Sequence, residues 1–245
     1  MNSTDFIISK EGATKYKIVF TDYSEALIKS IVHSQQIDDI TVIKGYREIK
    51  FTAITVQTYT EFRDSLLYEM NGVRRLSYNA TLRLMSSLAN QLKYLIGVQK
   101  SCFYLYNTDN LIVIDGCKFV YMSNEHLGKL VPDGKSVLII QPFSTNHDFV
   151  SPEMRRIICI PAKVDYRTAY YSLGLLVRDC ISDSDGISDS DGIIDSDGIS
   201  DSDYKSDSDY KSVYDNLDSI KGTKLYAMLQ RCLAEDPNDR SILFV

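Results

Sequence analysis

Ser151-Pro152-Glu153, then Tyr170-Tyr171-Ser172-Leu173-Gly174-Leu175-Leu176, then Cys232-Leu233 with Asp236-Pro237-Asn238-Asp239-Arg240 follow one another in the C-terminal part of this 245-residue chain. The middle stretch is largely apolar and aromatic, and Thr223 to Leu233 sets Leu225, Met228, Leu229, Cys232 and Leu233 on one helical face, so a helix is expected over Thr223 to Leu233. Residues 181–212, between the two, have a different composition: ISDSDG from Ile181 and again from Ile187, IIDSDG from Ile193, ISDSDY from Ile199 and KSDSDY from Lys205. A hexapeptide repeat of Ser, Asp and Gly with so few apolar residues cannot build a core, and self-repulsion extends it, so the segment is expected to be a disordered, solvated insert.

That insert also explains the net charge of −6: it holds ten Asp and two Lys, leaving 25 basic against 23 acidic residues elsewhere. Outside it the charge is nearly balanced. Arg74-Arg75 and Arg155-Arg156 do not sit in aromatic-interleaved basic runs, so no nucleic-acid partner is expected. As a calcium site the repeat fails by position. Setting Gly186 sixth in an EF-hand loop places Asp183 and Asp185 correctly, but puts Ile181 first and Gly192 twelfth, where oxygen ligands belong. Ser182, Ser188, Ser200 and Ser206 each have Asp three residues later, which makes them candidate sites for an acid-directed kinase.

With 44% hydrophobic and 24% charged residues the chain has an ordinary globular composition, long enough for one large domain or two small lobes. No apolar run reaches the roughly 18 residues of a membrane span, and MNSTDFIISKEG lacks the pattern of a signal peptide, so a cytoplasmic protein with no membrane partner is expected. Cys102, Cys117, Cys159, Cys180 and Cys232 are odd in number and form no C-x-x-C, which points to reduced, mostly buried thiols rather than disulfides or a zinc site.

Towards the N-terminus the elements are mixed. Tyr16 to Phe20 reads as a strand, Glu25 to Val32 as a helix with Leu27, Ile28, Ile31 and Val32 inward, and Ile40–Phe51 and Ala53–Tyr59 as two strands around a turn at Gly45. Tyr78 to Ile96 is expected to be a core helix capped by Ser77 or Asn79, with Leu82, Met85, Leu88, Ala89, Leu92, Leu95 and Ile96 at helical spacing. Leu111–Ile114 and Lys118–Met122 then form a hairpin around Asp115-Gly116.

In order and spacing these features resemble a protein kinase. Ser151-Pro152-Glu153 matches the A-P-E that ends the activation segment, the Ser172-Leu173-Gly174 helix matches the central helix of the C-lobe, and Arg240 matches the late Arg that pairs with the A-P-E glutamate. The resemblance implies an α+β, two-lobed protein-kinase-like fold. Residues 1–60 would be a reduced mixed N-lobe, 61–180 and 213–245 a mainly helical C-lobe, and 181–212 the disordered acidic insert. Ala169 stands where the family usually has a structural Asp.

The same resemblance locates the chemistry, and the chemistry is missing. With the hairpin as ruler, Asn110 matches the Asn of H-R-D-L-x-x-x-N, and Phe103-Tyr104-Leu105 falls on His-Arg-Asp. Leu105 cannot accept a hydroxyl proton, and Ser123, at the position of the D-F-G aspartate, cannot hold magnesium against phosphates. Val113-Ile114-Asp115-Gly116 also looks like the approach to D-F-G with one residue lost; a hairpin turn is the preferred reading of Asp115. The G-x-G-x-x-G loop is absent. Lys17 is a weak candidate for the nucleotide-contacting lysine, with Glu25 only eight residues on. The implied function is a catalytically inactive kinase-like (pseudokinase) scaffold or binding module with Glu153 and Arg240 in structural roles, no cofactor or metal, and an acidic arm suited to a basic protein partner. The alternative is an atypical active serine/threonine kinase that uses ATP and magnesium and recruits Asp109, Asp115 or Glu125.

Overall fold

Alternation in Lys15–Phe20 turns Tyr16, Ile18 and Phe20 to one side of strand β2, where they are buried. In a computed structural model, which describes residues 5–22, 24–35, 37–43, 45, 47–69, 76–181, 217 and 220–242, that strand organises the first of three antiparallel sheets. The four candidate serines, the Arg74-Arg75 pair and the repeat beyond Ile181 lie outside the described residues.

The first sheet has the order β1 (Phe6–Lys10), β2, β4 (Glu48–Thr52), β3 (Thr41–Ile43). Tyr16 and Ile18 pair opposite Phe51 and Ile49, so both strands present apolar residues to the same core. Helix α1 (Glu25–Ser34) is capped by the Ser24 hydroxyl, which accepts from the Ala26 N–H at 3.2 Å, and buries Leu27, Ile28 and Ile31. Burial of each such side chain contributes roughly 1.5–3 kcal/mol. The turn at Gly45 falls inside the stretch read as one strand and makes it the β3–β4 hairpin; its φ of +59° is a left-handed conformation that glycine adopts without steric cost. The following stretch leaves this sheet altogether.

Strand β5 (Val56–Thr58) instead pairs with β7 (Leu111–Ile114), which pairs with β8 (Lys118–Tyr121). Asp115 and Gly116, at φ +52° and +63°, form the tight left-handed turn between β7 and β8. The Asp115 carboxylate accepts the backbone N–H groups of Ile54 at 2.7 Å and Thr55 at 3.0 Å, fixing the entry to β5.

After α2 (Tyr59–Glu69), helix α3 (Tyr78–Tyr94) starts where the Ser77 hydroxyl accepts from the Ala80 N–H at 3.3 Å, and a π turn over Leu95–Gln99 prolongs it. Its face of Leu84, Met85, Leu88 and Leu92 is buried among α1, β8 and the next long helix. A third sheet, β6 (Ser101–Phe103), β9 (Leu127–Leu130), β10 (Ser136–Ile139) and β11 (Ala162–Asp165), was not foreseen; it makes the later part of the chain richer in strands than expected. Helix α4 (Pro152–Arg155) precedes β11, and α5 (Thr168–Ile181) follows it, burying Tyr171 to Val177 without interruption. Helix α6 (Lys224–Cys232), capped by Thr223, lies so close to α5 that a Cβ on Gly174 would stand 2.9 Å from Cys232 Cβ and 3.0 Å from Leu233 Cδ2.

Among the described residues the architecture is thus mixed α+β, and no helix is long and apolar enough to cross a membrane. All five cysteines are free thiols, with Cys102, Cys180 and Cys232 buried.

Candidate functional site

Three places decide what the residues singled out by sequence can do. The first is the junction of α4, α5 and the C-terminal segment. Glu153 and Arg240 are 87 positions apart, yet the guanidinium meets the carboxylate with two hydrogen bonds, Nη1 to Oε1 at 2.5 Å and Nη2 to Oε2 at 2.9 Å. The Arg240 side chain is fully buried, and Glu153 keeps 19% of its exposure. Its remaining N–H groups donate to backbone carbonyls: Nε to Ala234 at 2.7 Å, Nη2 to Glu235 at 2.7 Å and Nη1 to Arg167 at 3.5 Å. Each of the five N–H donors of a guanidinium therefore has an acceptor. Its plane also lies over the Tyr171 ring, 4.7 Å from the centroid.

Neighbouring polar groups extend this junction. The Ser151 and Thr168 hydroxyls, both buried, bond to each other at 2.5 Å and tie the start of α4 to the start of α5. Arg167 clasps Asp165 at 2.8 and 2.7 Å and reaches Asn238 Oδ1 at 2.9 Å. Burial would push the Asp165 carboxyl up, but the Arg167 bonds prevail and hold it below its ordinary value. Glu153, Asp165, Arg167 and Arg240 are thus all engaged in bonds within the junction.

The second place is the strip from Cys102 to Ser123. Phe103, Tyr104, Leu105 and Tyr106 are each at most 2% exposed, so Leu105 belongs to the core. The ring of Tyr121 stands edge-on to Phe103 at 4.8 Å and to Tyr106 at 5.0 Å. Burial drives the Tyr106 and Tyr121 hydroxyls far above their ordinary pKa, which removes them as bases. Ser123 is fully buried; its hydroxyl donates to Asp5 Oδ2 at 2.5 Å and accepts from the Glu125 N–H at 3.0 Å, which pins the N-terminal strand to the end of this strip. Asn110 is buried in the turn before β7, where its carbonyl accepts the Met122 N–H at 2.9 Å. Asp109 and Glu125 are exposed, and the Asp115 carboxylate is engaged on backbone N–H groups as described.

The third place is the first sheet. Lys17 Nζ lies 3.3 Å from Glu11, which also bonds Lys50 at 2.7 Å, while Glu25 pairs with Lys29 at 2.6 Å. The structure does not bring Lys17 and Glu25 together. The hydrogen bond from Lys50, followed by that from Lys17, holds Glu11 below its ordinary pKa against the opposing effect of desolvation. A polar cleft of about 610 Å³ opens elsewhere, between α1 and β9, lined by Glu25, Lys29, Ser101, Asn124, Lys129 and Gln141. Among the described residues, no group of three His, Cys, Asp or Glu is gathered closely enough to hold a metal.

Sequence reasoning missed Gln91. This fully buried amide donates to the Tyr121 carbonyl at 2.9 Å and the Ser30 hydroxyl at 3.1 Å, and accepts the Tyr121 N–H at 3.1 Å. It closes the open edge of β8 and links that strand to α1 and α3. Its signal was available: Gln91 stands at helical spacing from Leu84, Leu88 and Leu95 on an otherwise apolar face.

No protein-family model and no curated protein sequence matches this chain.

Proposed function

We propose that the chain is a catalytically inactive protein-kinase-like module: a two-lobed scaffold with a reduced N-lobe in residues 1–60, a C-lobe in 61–180 and 213–245, and an acidic arm in 181–212 that binds a basic protein partner in the cytoplasm. The observation that carries this reading is the buried Glu153–Arg240 clamp, because it joins the two segments that the resemblance pairs and leaves both charges without a chemical task. Support comes from the strip where kinase chemistry would sit: a fully buried Leu105 offers no base, and the Ser123 hydroxyl is used on Asp5 and Glu125. In-line phosphoryl transfer needs a carboxylate that orients the nucleophile and another that holds magnesium, and neither a buried Leu nor a Ser substitutes for them.

Titration of the full chain with millimolar ATP and magnesium, followed by thermal melting and by phosphate transfer to generic protein substrates, tests the reading. No transfer is expected. Transfer that disappears in Asp109→Asn or Glu125→Gln would replace it with the atypical-kinase alternative. These exposed carboxylates suit the purpose better than Asp115, whose removal breaks the β5 turn. Binding of a lysine-rich peptide, weakening as salt rises, is expected of the acidic arm.

A further inference from the structure

Three of the eight large apolar side chains exposed among the described residues lie at one tip of the third sheet. They are Ile140 at 65%, Ile158 at 98% and Ile160 at 38% exposure. The last pair between β10 and β11 joins Ile139 to Ala162, so Ile140 emerges beside Pro161 and the Ile158-Cys159-Ile160 loop that leads into β11. Cys159 and Pro161 are exposed as well. Exposed Arg155, Arg156 and Lys163 flank this tip. Two acidic groups reach this rim: Glu235 lies 3.8 Å from Arg156, with both side chains well solvated, and the Asp133 carboxylate feels the charge of Lys163.

A clustered apolar surface with a basic rim calls for an occupant that is apolar and acidic together. Residues 181–212 have that chemistry, with isoleucines set singly or in one pair among repeated Ser-Asp-Ser-Asp, and they follow directly in sequence on α5, which ends at Ile181. We propose that the Ile140/Ile158/Ile160 tip is an intrachain docking surface for the acidic repeat. One isoleucine of the repeat packs against the tip while the neighbouring aspartates face Arg155, Arg156 and Lys163. Successive repeat isoleucines are about 20 Å apart when extended, so one unit docks at a time and the units at Ile187, Ile193 and Ile199 are interchangeable. Tethering supplies an effective concentration of roughly millimolar, so a contact too weak to hold a separate peptide forms within the chain. A basic partner of the arm therefore competes with the tip. The inference stands independently of the kinase-like reading.

Isoleucine-methyl NMR of the full chain tests it. Contacts between the methyls of Ile158 or Ile160 and those of the repeat are expected. The tip methyls should shift in the triple variant Ile187→Ser, Ile193→Ser, Ile199→Ser, and much less in any one of the single variants. The Arg155→Ser, Arg156→Ser, Lys163→Ser variant should reproduce the shift, as should about 1 M salt, where the Debye length is only about 3 Å. Unchanged resonances of buried Ile18 and Ile28 verify that each variant folds. Tip methyls that ignore the repeat and the salt overturn the proposal. So do contacts found only between differently labelled copies, which would make the occupant a second molecule, and a tip that responds to anionic lipid vesicles and not to the repeat, which would make it a membrane surface.

Discussion

Two ion clusters in this molecule bind carboxylates to cations at similar distances and do different work. Glu11 is shared by Lys17 and Lys50 across neighbouring strands of the first sheet, with all three side chains between 28% and 39% exposed. Arg240 holds Glu153 from a fully buried position and also caps three backbone carbonyls. In the first cluster, water replaces any partner that is lost. In the second, nothing does: removing one side leaves the other charge, or a set of carbonyls, desolvated and unpaired. The difference shows why a distant, buried pair specifies a fold while a nearby, exposed one merely decorates it.

Arg240→Ala is the severest way to break that contrast. It strands Glu153 and the carbonyls of Ala234 and Glu235, and a loss of about 3–5 kcal/mol in chemical unfolding is expected. Replacing both partners sharpens the point. Many buried pairs can be exchanged for apolar residues at little cost, but in Glu153→Leu with Arg240→Met the carbonyls still lack donors, so the double variant should recover only part of the loss. Full recovery would mean that the ion pair alone held the junction.

Next in size comes the packing beside the clamp. Gly174→Ala places a methyl 2.9 Å from Cys232 Cβ and 3.0 Å from Leu233 Cδ2, so α6 must shift away from α5. Overpacking of this kind costs roughly 1–3 kcal/mol. A melting temperature equal to that of the parent chain would show that α6 yields freely, and that Arg240 rather than helix packing fixes the C-terminal segment.

This junction was legible in the sequence only through the resemblance. Glu153 and Arg240 sit in short motifs that the kinase resemblance pairs across 87 positions, and a bidentate ion pair needs just those two side chains. The hairpin at Asp115-Gly116 was legible too, because two consecutive left-handed residues have few acceptable sequences. The third sheet was not anticipated, although Val131-Pro132-Asp133-Gly134 carried a turn signal: the Asp133 carboxylate accepts the Lys135 and Ser136 N–H groups at 2.7 and 2.9 Å, and Gly134 has φ +67°. What hid it was length. Its strands have three or four residues, too few for alternation to show, and β6 and β11 find their places only through partners distant in sequence. At the candidate site, Leu105 and Ser123 were singled out for the chemistry they lack and not for their burial, and the Asp5–Ser123 bond links positions 118 apart that no local pattern joins.

A titratable group tests burial without a substitution of charge. His126 is 5% exposed and lies tilted against Tyr104, ring centroids 5.4 Å apart, and burial outweighs the charge of Glu125 to lower its pKa; His147 works in the same direction as burial, and Asp5 against it. The unfolded chain therefore takes up a proton near pH 6.5 that the folded chain refuses. Stability should be complete above that pH and fall as the solution is acidified through and below it, towards the folded-state pKa. In His126→Phe the slope between pH 7 and 5.5 should flatten; an unchanged slope would assign it to other groups.

The smallest effect belongs to the exposed cluster. Lys17→Ala removes one cation from Glu11 and leaves Lys50 in place, and the strand pairing of Lys17 with Ser9 and Lys50 is made by backbone groups that the substitution does not touch. Exposed pairs contribute about 0–1 kcal/mol, less still in salt, so melting in moderate salt should barely move. A drop approaching that of Arg240→Ala would erase the contrast between the clusters. It would also mean that Lys17 carries a load that neither its exposure nor its partner explains, and nucleotide titration of that variant against the parent chain would then be the decisive comparison.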